Sequence, residues 1–152
     1  DDLLLEAIDA SIPDEIERLL SGQVDADPMT IIAQLGSHLI DSDDAGPAPT
    51  LLEAIVASRR EPALHERLSS RLDDDRRRLA KLIDEAKDAG LVDASFSTVA
   101  ITTFGHAVSL GMLVTRSMGS SLPDHGEWDH LIAGLIASLA PAPPVPEPGE
   151  PT

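Results

Sequence analysis

Apolar residues return at helical spacing along almost the whole chain, and the breaks in that rhythm divide it into segments. Leu3, Leu4, Ala7 and Ile8 share one side of residues 1–10. Ser11 and Pro13 interrupt the pattern, and Ile16, Leu19 and Leu20 carry it on to Gly22, which predicts a bent or split first helix. Asp27 before Pro28 reads as an N-cap with proline at the first helical position. Met29, Ile32, Gly36, Leu39 and Ile40 then recur at helical spacing, with an end expected near Asp44. Residues 43–49 are rich in Asp, Gly and Pro and form a connector. Thr50, with Glu53 three residues on, has the capping-box pattern for a helix through Leu51, Leu52, Ile55 and Val56 that stops before Pro62.

From Pro62 a long helix is expected to Ala89, with Leu64, Leu68, Leu72, Leu79, Leu82, Ile83 and Ala86 on its apolar stripe and Gly90 as its stop. Ser95 or Ser97 caps a helix over about 98–118 that is apolar or small nearly all round, and such a helix is expected to be covered on more than one side. Residues 119–123 form a loop. Asp124 then caps a last helix carrying Trp128, Leu131, Ile132, Leu135, Ile136 and Leu139. No fixed-period repeat is visible. The expected fold is all-α, a bundle of about six helices in one domain over 1–140, followed by a half-proline, extended and disordered tail over 141–152.

Composition narrows this picture. A length of 152 residues suits one domain, and 42% hydrophobic with 25% charged residues is a globular balance. Aromatics are limited to Phe96, Phe104 and Trp128, and a core of Leu, Ala and Ile favours helix over strand. With 27 acids against 11 bases the net charge is -16, a field that repels nucleic-acid phosphates; Arg76, Arg77 and Arg78 are the one basic run, directly preceded by Asp73, Asp74 and Asp75 and read as a solvated, ion-paired face. Cysteine is absent, which excludes disulfides and thiolate metal sites. The longest apolar stretches, around 110–114 and 131–139, are broken by Ser or Gly, and no signal peptide is seen, so a cytoplasmic chain without membrane contact is expected. The opening on Asp1, inside a helical pattern, leads to the expectation that something precedes it.

Candidate chemistry is sparse. Thr98, Thr102, His106 and Ser109 fall on one line of the penultimate helix. The line could orient a ligand in a mostly apolar cavity, or its groups could bond to neighbouring helices. Met29, Ile32, His38, Leu52, Ile55, Leu68 and Phe104 are the expected pocket lining, since Met adapts to irregular cavities and Phe supplies a rigid wall. Each is equally an ordinary core position. Glu127 and His130 have the Glu-x-x-His spacing of diiron bundles, but the second copy is missing, and the cluster of Asp124, His125, Glu127, Asp129 and His130 reads as a helix start. No catalytic motif is present, so neither an enzyme nor a cofactor is expected. Gly105, Gly111 and Gly134 each weaken a helix by about 1 kcal/mol against Ala, which close helix approach between or within subunits would offset.

Three segments together resemble the TetR family of transcriptional repressors. Asp1-Asp2-Leu3-Leu4-Leu5-Glu6-Ala7 is similar to the start of the family's connecting helix. Arg59-Arg60-Glu61-Pro62-Ala63-Leu64 and the long helix ending Ala89-Gly90-Leu91-Val92-Asp93 resemble its long amphipathic helix, and Ala107-Val108-Ser109-Leu110-Gly111-Met112 its dimer-forming helix. The resemblance rests on order and spacing. It implies a C-terminal regulatory domain that binds a small hydrophobic effector and homodimerises through its last two helices as a four-helix bundle. Val108, Gly111, Met112, Thr115, Trp128, Leu131, Leu135 and Ile136 would form that interface. DNA would be contacted only through an N-terminal helix-turn-helix domain, expected to lie outside these residues, whose spacing the first helix would control. The other reading is a helical protein–protein interaction domain with no small-molecule ligand, using the same apolar surplus.

Overall fold

The computed structural model describes residues 27–41 and 48–142. The expected first helix over 1–22, most of the connector and nearly all of the proline-rich tail lie outside the described residues. Among the described residues there are five α-helices and one 3-10 turn, with no strand.

Helix α1 spans Pro28–Ser37. Asp27 caps it by accepting from the backbone N–H groups of Met29 at 3.0 Å and Thr30 at 3.1 Å, and from the Thr30 hydroxyl at 2.6 Å. It ends in a 3-10 turn, His38–Ile40, earlier than the periodicity implied. Helix α2, Ala48–Ser58, starts ahead of Thr50, so Thr50 is an interior residue and not the cap. Pro49 is tolerated in that first turn, where a missing N–H costs nothing.

Helix α3, Pro62–Asp88, is the longest, and its C-terminus shows why the sequence stops there. Gly90 adopts φ +72, its N–H donates to Lys87 O at 2.9 Å, and the Leu91 N–H reaches back to Ala86 O at 2.9 Å. These two bonds are the Schellman pair, and they turn the chain so that Val92 is buried. Helix α4, Thr98–Ser117, is capped by Ser97 accepting from Ala100 N–H at 3.3 Å; helix α5, His125–Ala137, is capped by Asp124 accepting from Glu127 N–H at 2.9 Å.

The core lies along α3. Leu64, Leu68, Leu82, Ile83 and Ala86 are buried there, facing Ile31, Ala54 and Leu113 from the surrounding elements. Each large member contributes about 1.5–3 kcal/mol by leaving water. Helix α3 packs against α1, α2 and α4; α4 also touches α2 and the 3-10 turn, and the main partner of α5 is α1. The α3–α4 connection is pinned by Lys87, whose ammonium donates to Phe96 O at 2.6 Å and to Thr98 Oγ1 at 2.8 Å, while the Thr98 hydroxyl donates to Asp84 at 2.5 Å.

Of the residues of α4, only Thr102 and Leu113 are buried within this single chain. One expectation about α4 is corrected. Its 20 residues, which include an 18-residue window of mean hydropathy 1.4, are long and apolar enough to cross a membrane by length and composition, because isolated Ser and Gly interrupt the apolar run without making it polar.

Candidate functional site

The polar line on α4 follows the seam with α3. Thr98 is bonded to Asp84 and Lys87, as above. Thr102 is 2% exposed, and its hydroxyl is directed to the carbonyl oxygens of Thr98 at 2.9 Å and Val99 at 3.0 Å, on its own helix. One turn on, His106 is half-buried. Burial pushes its pKa below the ordinary 6.5, nearby Arg76 adds to the shift, and Asp75 and Asp73 oppose it. Ser109 is exposed. Local bonding therefore accounts for the hydroxyls of Thr98 and Thr102.

The residues expected to line a pocket are distributed as follows. Leu68 is core; Met29, Ile32, His38, Leu52 and Ile55 are half-buried; Phe104 is 59% exposed on the side of α4 away from Thr102. An open cleft of about 550 Å³ lies along α2 and the turn after it, lined by Leu52, Glu53, Val56, Ala57, Arg60 and Glu61. Of the expected residues only Leu52 reaches it. Leu52, Val56 and Ala57 supply its apolar surface, beside the charged Glu53, Arg60 and Glu61.

At the start of α5, His125 lies 3.5 Å from Asp41, whose carbonyl oxygen also accepts from Arg116 at 2.6 Å. These contacts tie the 3-10 turn to α4 and α5. Among the described residues no three metal-ligating side chains converge, and Asp124 is engaged as the cap. The acid and histidine run acts here as a helix start. The basic run on α3 is locally paired: Arg76 with Asp73 at 2.8 Å and Arg77 with Asp74.

Of the expected interface, Val108, Met112, Thr115, Trp128 and Ile136 are half-buried within the chain, while Gly111, Leu131 and Leu135 are exposed. Thr115 bonds to Gly111 O at 2.8 Å, and Trp128 donates to Gly36 O at 2.8 Å. The outward side of α4 carries a line that shares only Gly111 with the expected set, Ala100, Phe104, Ala107, Gly111, Val114 and Met118, flanked by the exposed Val99 and Thr103. Val114 is 42% and Met118 75% exposed. The signal for that line, alternating steps of four and three residues, is present in the sequence. It is hidden there because α4 is apolar on its other sides too.

No family model, curated protein or solved structure matches the chain.

Proposed function

We propose that this chain is a regulatory, homodimerising domain of the kind found in TetR-like transcriptional regulators. Association of two copies sets the geometry of DNA-reading heads in the parent protein, and a small hydrophobic effector biases it through movement of the helix expected over residues 1–10. The observation that carries this reading is α4: a 20-residue helix with only two buried residues, whose outward face bears Phe104, Val114 and Met118 without an acid among them. Apolar surface of this extent in a chain of net charge -16 is better explained by a partner than by solvent. The domain has no catalytic role in this proposal, and DNA contact belongs to a helix-turn-helix head. Sedimentation equilibrium at micromolar concentration tests the reading. A dimer is expected; a stable monomer argues against it.

The second reading, a domain that binds a different protein, is favoured by the cleft along α2, where Val56 is 66% exposed beside charged residues. It predicts a monomer on its own and a heteromeric complex with its partner.

A further inference from the structure

We infer that two copies of this chain pair α4 to α4, antiparallel and about a two-fold axis level with Ser109, so that Ala107 of each copy faces Gly111 of the other. This rests on the homodimer reading above and specifies the register of that contact.

The outward line of α4 is Ala100, Phe104, Ala107, Gly111, Val114 and Met118, with steps of four, three, four, three and four. Such steps keep a seam on one side of a helix and are the spacing of knobs-into-holes packing. The order of steps reads the same in both directions. Reversing one copy about position 109 therefore brings Ala100 opposite Met118, Phe104 opposite Val114, and Ala107 opposite Gly111. This is the self-complementarity a two-fold contact requires, where residue i meets j and j meets i.

The side-chain sizes select this orientation over the parallel one. Antiparallel pairing puts Ala107 and Gly111, two of the three small residues of the line, at the axis, where crossing helices approach most closely, and opposes the larger to the smaller side chain further out, Met118 to Ala100 and Phe104 to Val114. Parallel pairing would set Phe104 against Phe104 and Gly111 against Gly111, alternating bulges with voids that a close-packed interface does not tolerate.

Charge selects the occupant. Residues 98–117 contain no Asp or Glu, although the chain carries 27 of them, and Arg116 is turned to Asp41. Two copies can meet here without placing acids in contact, whereas a basic partner would be drawn to the acid-rich surfaces elsewhere.

The absence of cysteine permits a direct test. Positions 100 and 118 are both exposed and lie about 27 Å apart on one helix, too far to bond to each other. The variants A100C, M118C and A100C/M118C are each exposed to mild oxidant and run on non-reducing gels, with sedimentation of the reduced samples alongside. Only the double variant should become a covalent dimer. If both single variants cross-link as readily, the pairing is parallel and the inference is overturned. If the reduced protein is a dimer and none of the three cross-links, the contact lies on another face; the register falls while the dimeric reading stands. If the reduced protein is a monomer, both fall.

Discussion

The indole N–H of Trp128 donates to the backbone carbonyl oxygen of Gly36 at 2.8 Å, joining α5 to α1 across the chain. One turn further along α5, Ile132 lies directly over the same glycine. A Cβ on Gly36 would sit 2.9 Å from Ile132 Cγ2, an atom close to the backbone that cannot swing aside as a chain end can.

Gly36→Ala should therefore destabilise the fold. Overpacking costs about 1–3 kcal/mol, and the gain in helix propensity returns about 1 kcal/mol. A lower urea midpoint with an unchanged slope is expected, and Gly36→Ala/Ile132→Ala should be less damaging than the two single effects added. Unaltered or increased stability in Gly36→Ala would show that α1 and α5 are not held this closely.

Burial on α3 predicts a sharp contrast between two substitutions. Ile83 is 1% exposed, and Ile83→Ala should cost about 2–5 kcal/mol, from lost transfer energy and the cavity left behind. Val56 is 66% exposed, and Val56→Ser should change stability by less than about 0.5 kcal/mol. Chemical denaturation of both variants checks the pair; comparable losses would mean that the core does not run along α3.

How far these features can be read before the fold is known depends on whether a signal is local. Asp27, Ser97 and Asp124 act on N–H groups two or three residues ahead, so their caps are visible in the sequence. The stop at Gly90 is equally local. The start of α2 is not legible, because the Thr50 and Glu53 pattern fits a cap while Pro49 is also acceptable inside the first turn. Sidedness is the harder question. Leu82 and Ile83 lie on a stripe flanked by charge, whereas α4 has apolar residues on every side, so periodicity alone does not separate Leu113, which is buried, from Val114, which is 42% exposed. The polar line from Thr98 to Ser109 is ambiguous for a related reason: polar groups along one face suit a seam or a cavity, and only the bonding partners decide.

His106 should introduce a pH dependence between its ordinary pKa of 6.5 and a lower folded value, because burial, aided by Arg76, disfavours its cation. The unfolded chain takes up the proton first as pH falls. Stability is thus fully present above 6.5 and is lost as pH drops through the folded pKa. The His106 imidazole resonance should titrate with a midpoint below 6.5, and His106→Gln should flatten the stability profile over that interval. A midpoint at or above 6.5 would contradict the half-buried site.

A second, more acidic dependence comes from two carboxylates, exposed Asp27 and half-buried Asp93. Asp27 is held below its ordinary pKa of 3.8, first by the Thr30 hydroxyl and then by backbone N–H groups; Asp93 is held below 3.8 by the Ser95 N–H, with the Ser95 side chain adding. Their contribution is present above 3.8 and disappears as pH falls through the lowered values. Asp27→Asn keeps the cap but not the charge. Its stability should fall less steeply below 3.8 than that of the parent chain, as followed by helical circular dichroism during acid titration. An unchanged slope in Asp27→Asn/Asp93→Asn would assign acid sensitivity to other groups.

The strain imposed at the end of α3 can be separated from packing. Gly90 has φ +72 and nothing within 4 Å of where a Cβ would lie, so a side chain there meets only a backbone penalty. For Gly90→Ala that penalty is about 1–2 kcal/mol, the cost of the left-handed region for an L-residue. Gly90→Asn should cost less, because Asn enters that region more readily. The order of stability expected in denaturant is Gly, then Asn, then Ala. If Ala were as stable as Gly, the chain would have to leave α3 by another conformation, and the bond from Leu91 N–H to Ala86 O, with the burial of Val92 that follows from it, would not be fixed features of the fold.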